Sequence, residues 1–346
     1  MNVIVRARST DGILGYGECV PREYVTGESI DSVVAFLEGE IRSLGDADFA
    51  SPADLVSYLE DIGCSESGSS NPAAVCALEL ALIDLAGHHW GISAVEVIAL
   101  SKNTYKLSYS LVIPFLSDST LVPFLLKAKV YDFSHVKVKI DKDSHVSRVK
   151  KVREHLGDAI EIRVDANAAL DPLSIHAIAD ELKGLGVVAI EQPYSVTSLD
   201  HTSELRSLGL LDVVLDESVV SPEDVTVVTD AGACDIVNVR ISKCGGLLGA
   251  LRVVRAARKN GLRVQLGAQV GESCILSAAG ALLASALDDF MWLEGSFGRH
   301  LLLDDICEDS VQFGKNGLLS PPDGPGMGIT ICNDRLDEAH RKFSIC

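Results

Sequence analysis

The sequence predicts an α/β protein, a (β/α)8 TIM-type barrel flanked by an α+β capping domain built from the N-terminus and the C-terminal tail. Three observations lead there. Short β-branched runs alternate with segments of helical periodicity through the middle of the chain. A polar residue closes each run at a nearly constant interval. The first hundred residues follow neither pattern.

Taken in order, VIVRARSTDGILGYGE reads as two strands joined by an Asp11-Gly12 turn. SIDSVVAFLEGEIRSL, SPADLVSYLEDIG and NPAAVCALELALIDLAGHH read as helices. The last two open with Ser51-Pro52 and Asn71-Pro72, a cap followed by Pro at the first helical position. Ser65 to Ser70 reads as a flexible connection. Residues 1–103 are therefore assigned to the capping domain, 104–300 to the barrel and 301–346 to a tail returning to the cap.

In the barrel the runs are KLSYSLVIP (106–114), HVKVKI (135–140), IEIRVD (160–165), VVAIEQP (187–193), DVVLDES (212–218), DIVNVRISK (235–243), LRVQLGAQ (262–269) and DFMWLEG (289–295). Continuous apolar runs separated by helices indicate parallel strands buried on both faces. Lys139, Asp165, Glu191, Asp216, Lys243, Gln269 and Glu294 follow one another at 26, 26, 25, 27, 26 and 25 residues, and Ser110 stands 29 before Lys139. Each interval is one βα unit, so these side chains fall on the carboxyl-end face where such barrels build their sites. Beyond the barrel, a turn-rich stretch from Pro321 to Gly326 leads to a short strand-like run, GITIC.

Composition excludes several classes. The 346 residues carry 30 Lys and Arg against 49 Asp and Glu, a formal charge of −19, which argues against a nucleic-acid partner. The longest nearly apolar stretch, Cys274 to Leu287, is too short to span a bilayer and reads as a buried helix, and the start lacks a signal-peptide core. The nine cysteines form no CxxC pair and read as reduced thiols, mostly in the core, of a cytoplasmic protein. A homo-oligomer is expected, as for most soluble enzymes.

Asp165, Glu191 and Asp216 end three successive strands, which lie about 4.8 Å apart. Singly, each acid reads as a partner for a loop Lys or Arg. Together, three converging carboxylates repel one another, and a hard divalent cation relieves that repulsion. An all-oxygen site of this kind suits Mg²⁺, with Mn²⁺ as the alternative. Lys139 and Lys243 lie on the flanking strands, four apart in a ring of eight, and so face each other across the mouth. Lys137 shares a strand face with Lys139, and its charge is expected to lower the Lys139 pKa towards that of a base.

These residues resemble the enolase superfamily, in the muconate lactonizing subgroup that includes the dipeptide epimerases. The matching motifs are Lys137-Val138-Lys139, Asp165-Ala166-Asn167, Glu191-Gln192-Pro193, Asp216-Glu217-Ser218 and Lys243-Cys244-Gly245-Gly246, with Gly15-Tyr16-Gly17-Glu18, Glu272-Ser273 and a DGPGMGI tail. The resemblance implies a substrate carboxylate on Mg²⁺ held by Asp165, Glu191 and Asp216. Lys139 or Lys243 then removes the α-proton to give an enediolate, with Asn167 and Glu217 as supporting groups. A lysine on each face allows inversion, which is epimerisation or racemisation. The same pair serves a muconate-type cycloisomerase or an o-succinylbenzoate-synthase-like lyase, and a carboxylate-binding pseudoenzyme is the non-catalytic alternative. A mandelate-racemase-like His/Asp pair is disfavoured, because Gln269 and Lys243 stand where it needs His and Asp.

The stretch Pro21–Glu28 resembles the dipeptide-epimerase lid loop, which implies substrate contacts from Arg22, Tyr24 and Thr26, alongside Ser110 and Gln269 at the mouth. At the eighth strand those epimerases carry Asp-x-Asp to hold a substrate ammonium. Here Trp292-Leu293-Glu294 leaves one acid, with Trp292 adding bulk. The chain also begins inside what would be the family's second strand, so its capping domain is expected to lack the first. An L-amino-acid dipeptide is the substrate this resemblance favours.

Overall fold

The computed structural model describes residues 1–45, 47–63, 71–308 and 311–343. The connection expected at Ser65–Ser70 lies outside them. Val3–Arg8 (β1) and Leu14–Cys19 (β2) pair antiparallel around the Asp11-Gly12 turn. Helices Glu23–Thr26 (α1), Ile30–Leu44 (α2), Pro52–Gly63 (α3), Pro72–Trp90 (α4) and Ala94–Val97 (α5) follow. Ser51 caps α3 by accepting the Asp54 N–H at 3.2 Å. Asn71 makes no such bond to α4. Glu28 supplies it instead, its two oxygens accepting the Ala73 and Ala74 N–H groups at 2.8 and 3.0 Å. Helix α4 is apolar on nearly every side because it is packed on nearly every side. Strand β2 approaches it so closely that a Cβ at Gly17 would lie 2.0 Å from the Ala77 carbonyl oxygen.

Leu107–Ser108 (β3) precedes a sheet of eight parallel strands in chain order: Leu111–Ile113 (β4), His135–Lys139 (β5), Glu161–Asp165 (β6), Val187–Glu191 (β7), Asp212–Leu215 (β8), Ile236–Val239 (β9), Arg263–Leu266 (β10) and Phe290–Leu293 (β11). A Tyr109–Leu293 bridge, with Ser110 N–H donating to the Leu293 carbonyl at 2.8 Å, closes the ring. The helices between strands are Asp118–Tyr131 (α6), His145–Leu156 (α7), Ile175–Gly184 (α8), Leu199–Ser207 (α9), Pro222–Asp230 (α10), Ile241–Cys244 (α11), Gly246–Lys259 (α12) and Cys274–Ala286 (α13). Two runs are shorter than the sequence suggested. KLSYSLVIP breaks into β3 and β4, and DIVNVRISK leaves the strand after Val239, so Lys243 stands on α11.

After Gly298–Leu301 (α14), Leu318–Leu319 (β12) pairs antiparallel with β3. The tail then returns to α4, where the Met327 N–H donates to Asp84 at 2.7 Å, and ends in Asn333–Phe343 (α15). GITIC is not a strand; Ile331 alone bridges Cys307. The seven described cysteines are free thiols, six of them buried. Among the described residues no helix is long and apolar enough to cross a membrane.

Alternation along the strands explains how polar residues enter the barrel. Val136, Val138, Ile162, Val164, Ile190, Val237 and Val239 are fully buried beneath the helices. The residues between them point inward. Ala189, Val214, Ile236 and Trp292 pack together as a separate apolar floor. Above that floor the interior is polar.

Candidate active site

Strand register sets the rim. Lys139 lies opposite Asp165, and Asp165 opposite Glu191. Asp216 follows directly after β8. Its turn is held by the Gln192 side chain, whose Oε1 accepts the Asp216 and Ser218 N–H groups at 3.0 and 3.2 Å while its Nε2 donates to the Ser218 hydroxyl at 2.8 Å.

The three carboxylates are buried, and each is oriented by donors. Glu191 accepts from Lys137, Asn238 and Gln265 at 3.1, 2.9 and 2.9 Å. Burial opposes its ionisation, but Lys137, Arg240 and Arg163 pull its pKa down to about 2. Asp216 is bonded to Arg240 and, at 3.0 Å, to Lys243. Asp165 lies 3.2 Å from Lys139 and 3.6 Å from Lys137. Its burial, reinforced by Glu191 and Asp216, outweighs both lysines and raises its pKa.

The two flanking lysines differ. Lys243 is inaccessible to solvent, and its Nζ donates to the Asp216 carbonyl, the Asp216 carboxylate and the Asn238 carbonyl at 2.7, 3.0 and 2.7 Å. Lys139 is partly exposed at the rim and bonded to Asp165 and the Asn167 side-chain oxygen. Asn167 in turn donates to Glu217 at 3.2 Å, so the two expected supporting residues meet. Burial and the neighbouring Asp216 push the Glu217 carboxyl up to about 7.

Several expectations are corrected. Lys137 does not act on Lys139 as a free charge. It is buried among Glu294 at 2.7 Å, Glu191 at 3.1 Å and Asp165. Burial works against its charge, but these carboxylates win and hold its pKa well above the usual lysine range. Glu294 is not a rim acid awaiting a ligand, because Arg163 and Lys137 occupy it. Trp292 belongs to the barrel floor; its indole N–H donates to Glu161 and the Arg163 guanidinium stacks 4.7 Å above its ring. Ser110 precedes β4 and, fully buried, accepts from Arg163 at 3.1 Å.

Gln269, beyond β10, accepts from Arg240 at 3.2 Å. Arg22 reaches the same loop, donating to the Val270 carbonyl at 2.8 Å. Tyr24 is exposed beside it in chain order, and the Thr26 hydroxyl lies by Glu28 at the start of α4.

The model of the family described as "Enolase C-terminal domain-like" matches residues 125–335, more than half the chain and all of this rim. The chain belongs to that family. An L-Ala-D/L-amino acid epimerase from a Maribacter species is 28% identical, over 95% of this chain and 92% of that one. The solved structure of N-succinyl Arg/Lys racemase from Bacillus cereus is 26% identical with a TM-score of 0.86, covering 97% of this chain and 89% of that one. The fold is also that of a dipeptide epimerase from Enterococcus faecalis, solved with Mg and the dipeptide L-Leu-L-Tyr (22% identity, TM-score 0.84, 95% and 91% covered).

Within this enolase-like barrel, sequence reasoning missed Arg163, Asn238, Arg240 and Gln265. A signal was available. Arg163 stands two residues before Asp165, and Asn238 and Arg240 are two apart, so alternation aims each at the interior. The KCGG motif also acquires a cause. Gly246 has φ +93°, and a Cβ there would lie 2.2 Å from Glu79, whose carboxylate accepts the Leu247 N–H and, at 3.2 Å, the Leu248 N–H at the start of α12.

Proposed function

We propose that this protein is a Mg²⁺-dependent epimerase or racemase that removes the proton α to a substrate carboxylate, with a dipeptide as substrate. One observation carries the reading: two lysines, Lys139 and Lys243, stand four strands apart and flank three carboxylates at successive strand ends. Asp165, Glu191 and Asp216 are the proposed metal ligands. They fit a hard cation, being all-oxygen, adjacent, and held in orientation by neighbouring donors. When bound, the cation supplies Lewis-acid charge beside the substrate carboxylate. Mn²⁺ is the alternative metal.

Lys139 is the proposed base at the open rim and Lys243 the proposed acid on the opposite side, exchanging roles for the other stereoisomer. Asn167 positions Lys139 and links it to Glu217. Arg22 and Tyr24 are proposed to border the substrate from the lid, and Gln269 from the loop beyond β10. The reaction takes place in the cytoplasm on this reading, where free thiols persist.

A second reading concerns the substrate's amino group. Glu294 is held by Arg163 and Lys137, so it is not free to take an ammonium. This favours an N-acylated amino acid over a free dipeptide.

Incubation with Mg²⁺ in D₂O tests the proposal. Deuterium should enter the α-position of a responsive dipeptide or N-acylamino acid. Lys139→Ala and Lys243→Ala should each reduce exchange from one stereoisomer by roughly 10²–10⁴-fold. No exchange across a broad panel of both substrate classes, with metal bound, overturns the assignment. Comparing a free dipeptide with its N-succinyl counterpart decides between the two readings.

A further inference from the structure

Away from the barrel mouth, two thiols and a carboxylate converge where the tail meets the barrel. The Sγ atoms of Cys274 and Cys307 and a carboxylate oxygen of Asp305 all lie within 4.8 Å of one another. Both cysteines are buried, at 1% and 2% exposure, and Asp305 is partly buried. The three residues come from two segments, the first turn of α13 and the strap following α14. We propose that they form a Zn²⁺ site that fastens the tail to α13.

The chemistry matches a borderline-soft divalent cation. Thiolate sulfur and carboxylate oxygen are both zinc donors, at about 2.3 and 2.0–2.2 Å. Tetrahedral geometry then sets two sulfurs about 3.8 Å apart. The ligand atoms, all within 4.8 Å of one another, reach this with a contraction of at most about 1 Å. Three protein ligands leave a fourth position for water, and Asp305 is the one ligand that is partly exposed.

The ligands are also held as metal ligands are. Asp305 Oδ1 accepts the Cys274 and Ile306 N–H groups at 3.1 and 2.8 Å, fixing the carboxylate against the helix. Arg335 donates to the Asp305 and Cys307 carbonyls at 3.1 and 2.9 Å, holding the strap. Cys274 opens a 13-residue helix, but burial, the Cys307 thiol and the Asp305 carboxylate hold its thiol well above the usual range, so its proton leaves only as the metal takes the sulfur. On binding, each thiol gives its proton to water as its sulfur takes the metal, and no oxidant is involved.

A clasp here joins three parts of the molecule. Ser273 and Leu276, which flank Cys274 in the same turn, donate to Glu18 of β2. One ion would therefore tie the strap to the turn that already binds the N-terminal hairpin.

The full-length reduced protein, stripped with a chelator and titrated with Co²⁺ and then Zn²⁺, tests this. One equivalent of Co²⁺ should produce a thiolate charge-transfer band that Zn²⁺ abolishes, and Zn²⁺ should raise Tm by several degrees. The oxygen-ligand site at the mouth yields no such band, so the signal is independent of the proposed catalytic metal. Cys274→Ser and Cys307→Ser should lose the band, while Cys332→Ser, outside the trio, should keep it. Absence of the band in the unsubstituted protein overturns the proposal. So does its persistence in both serine variants. Loss of two hydrogens in the intact mass under mild oxidation, with no metal retained by the reduced protein, would make the pair a disulfide and overturn the zinc site as well.

Discussion

Lys137 and Lys139 are two residues apart on one strand face, yet their surroundings give them different work. Lys139 reaches the rim, whereas Lys137 sits one layer down in a column of alternating charge. That column runs from Arg163, stacked on Trp292, through Glu294 to Lys137 and then Glu191. Removing one member leaves its neighbours' charges buried and unpaired. Glu294→Gln should therefore lower unfolding free energy by about 3–5 kcal/mol, measured by urea denaturation. A loss below 1 kcal/mol would show that the column tolerates a gap. The residue types in this column are legible in the sequence, but spacing along the chain locates only a strand end: it places Glu294 at the rim and leaves Trp292 open between bulk at the mouth and plain barrel packing. It does not say which inward layer a side chain fills or what already occupies it.

The elements were legible to the extent that periodicity defines them. Parallel strands buried on both faces leave continuous apolar runs, and the interval of about 26 residues is set by the length of a strand, a helix and two turns. The failures fall where a tertiary partner decides. The Asn71-Pro72 pair predicts a cap for α4 at Asn71, but Glu28 fills that place from a distant segment. The interval predicts Lys243 at a strand end, but the chain turns into α11 after Val239. Glu79 secures the start of the next helix, and Gly246 leaves room for it. Gly246→Ala adds a Cβ into Glu79 at positive φ, and should cost about 1–3 kcal/mol. It should also displace α11, so exchange from the stereoisomer served by Lys243 should fall more than exchange from the other. Equal losses in the two directions would mean that the glycine acts on stability alone.

Across the whole molecule, the acidic excess contains a set of internal fasteners. Glu18, Glu28, Glu79 and Asp84 are buried, and each accepts backbone N–H groups from another part of the chain. Burial raises the pKa of each, that of Glu79 from 4.5 to about 8. Below 4.5 the Glu79 carboxyl is protonated in both folded and unfolded chains. Between 4.5 and about 8 only the unfolded chain ionises. Stability from this group is thus full at low pH and is lost as pH rises through that window. Unfolding free energy measured from pH 5 to 8 should fall, and Glu79→Gln should flatten the fall. An unchanged slope would place the pH dependence elsewhere.

The sequence by itself determined the barrel, the order of its strands and the chemical types gathered at their ends, because each of these is written in local periodicity and composition. Tertiary structure alone decided which acids remain near the rim and which are consumed inside. It also decided which carboxylate caps which helix, and that Cys274, Asp305 and Cys307 meet. Those outcomes depend on contacts between residues far apart in the chain, and no local pattern encodes the distance between them.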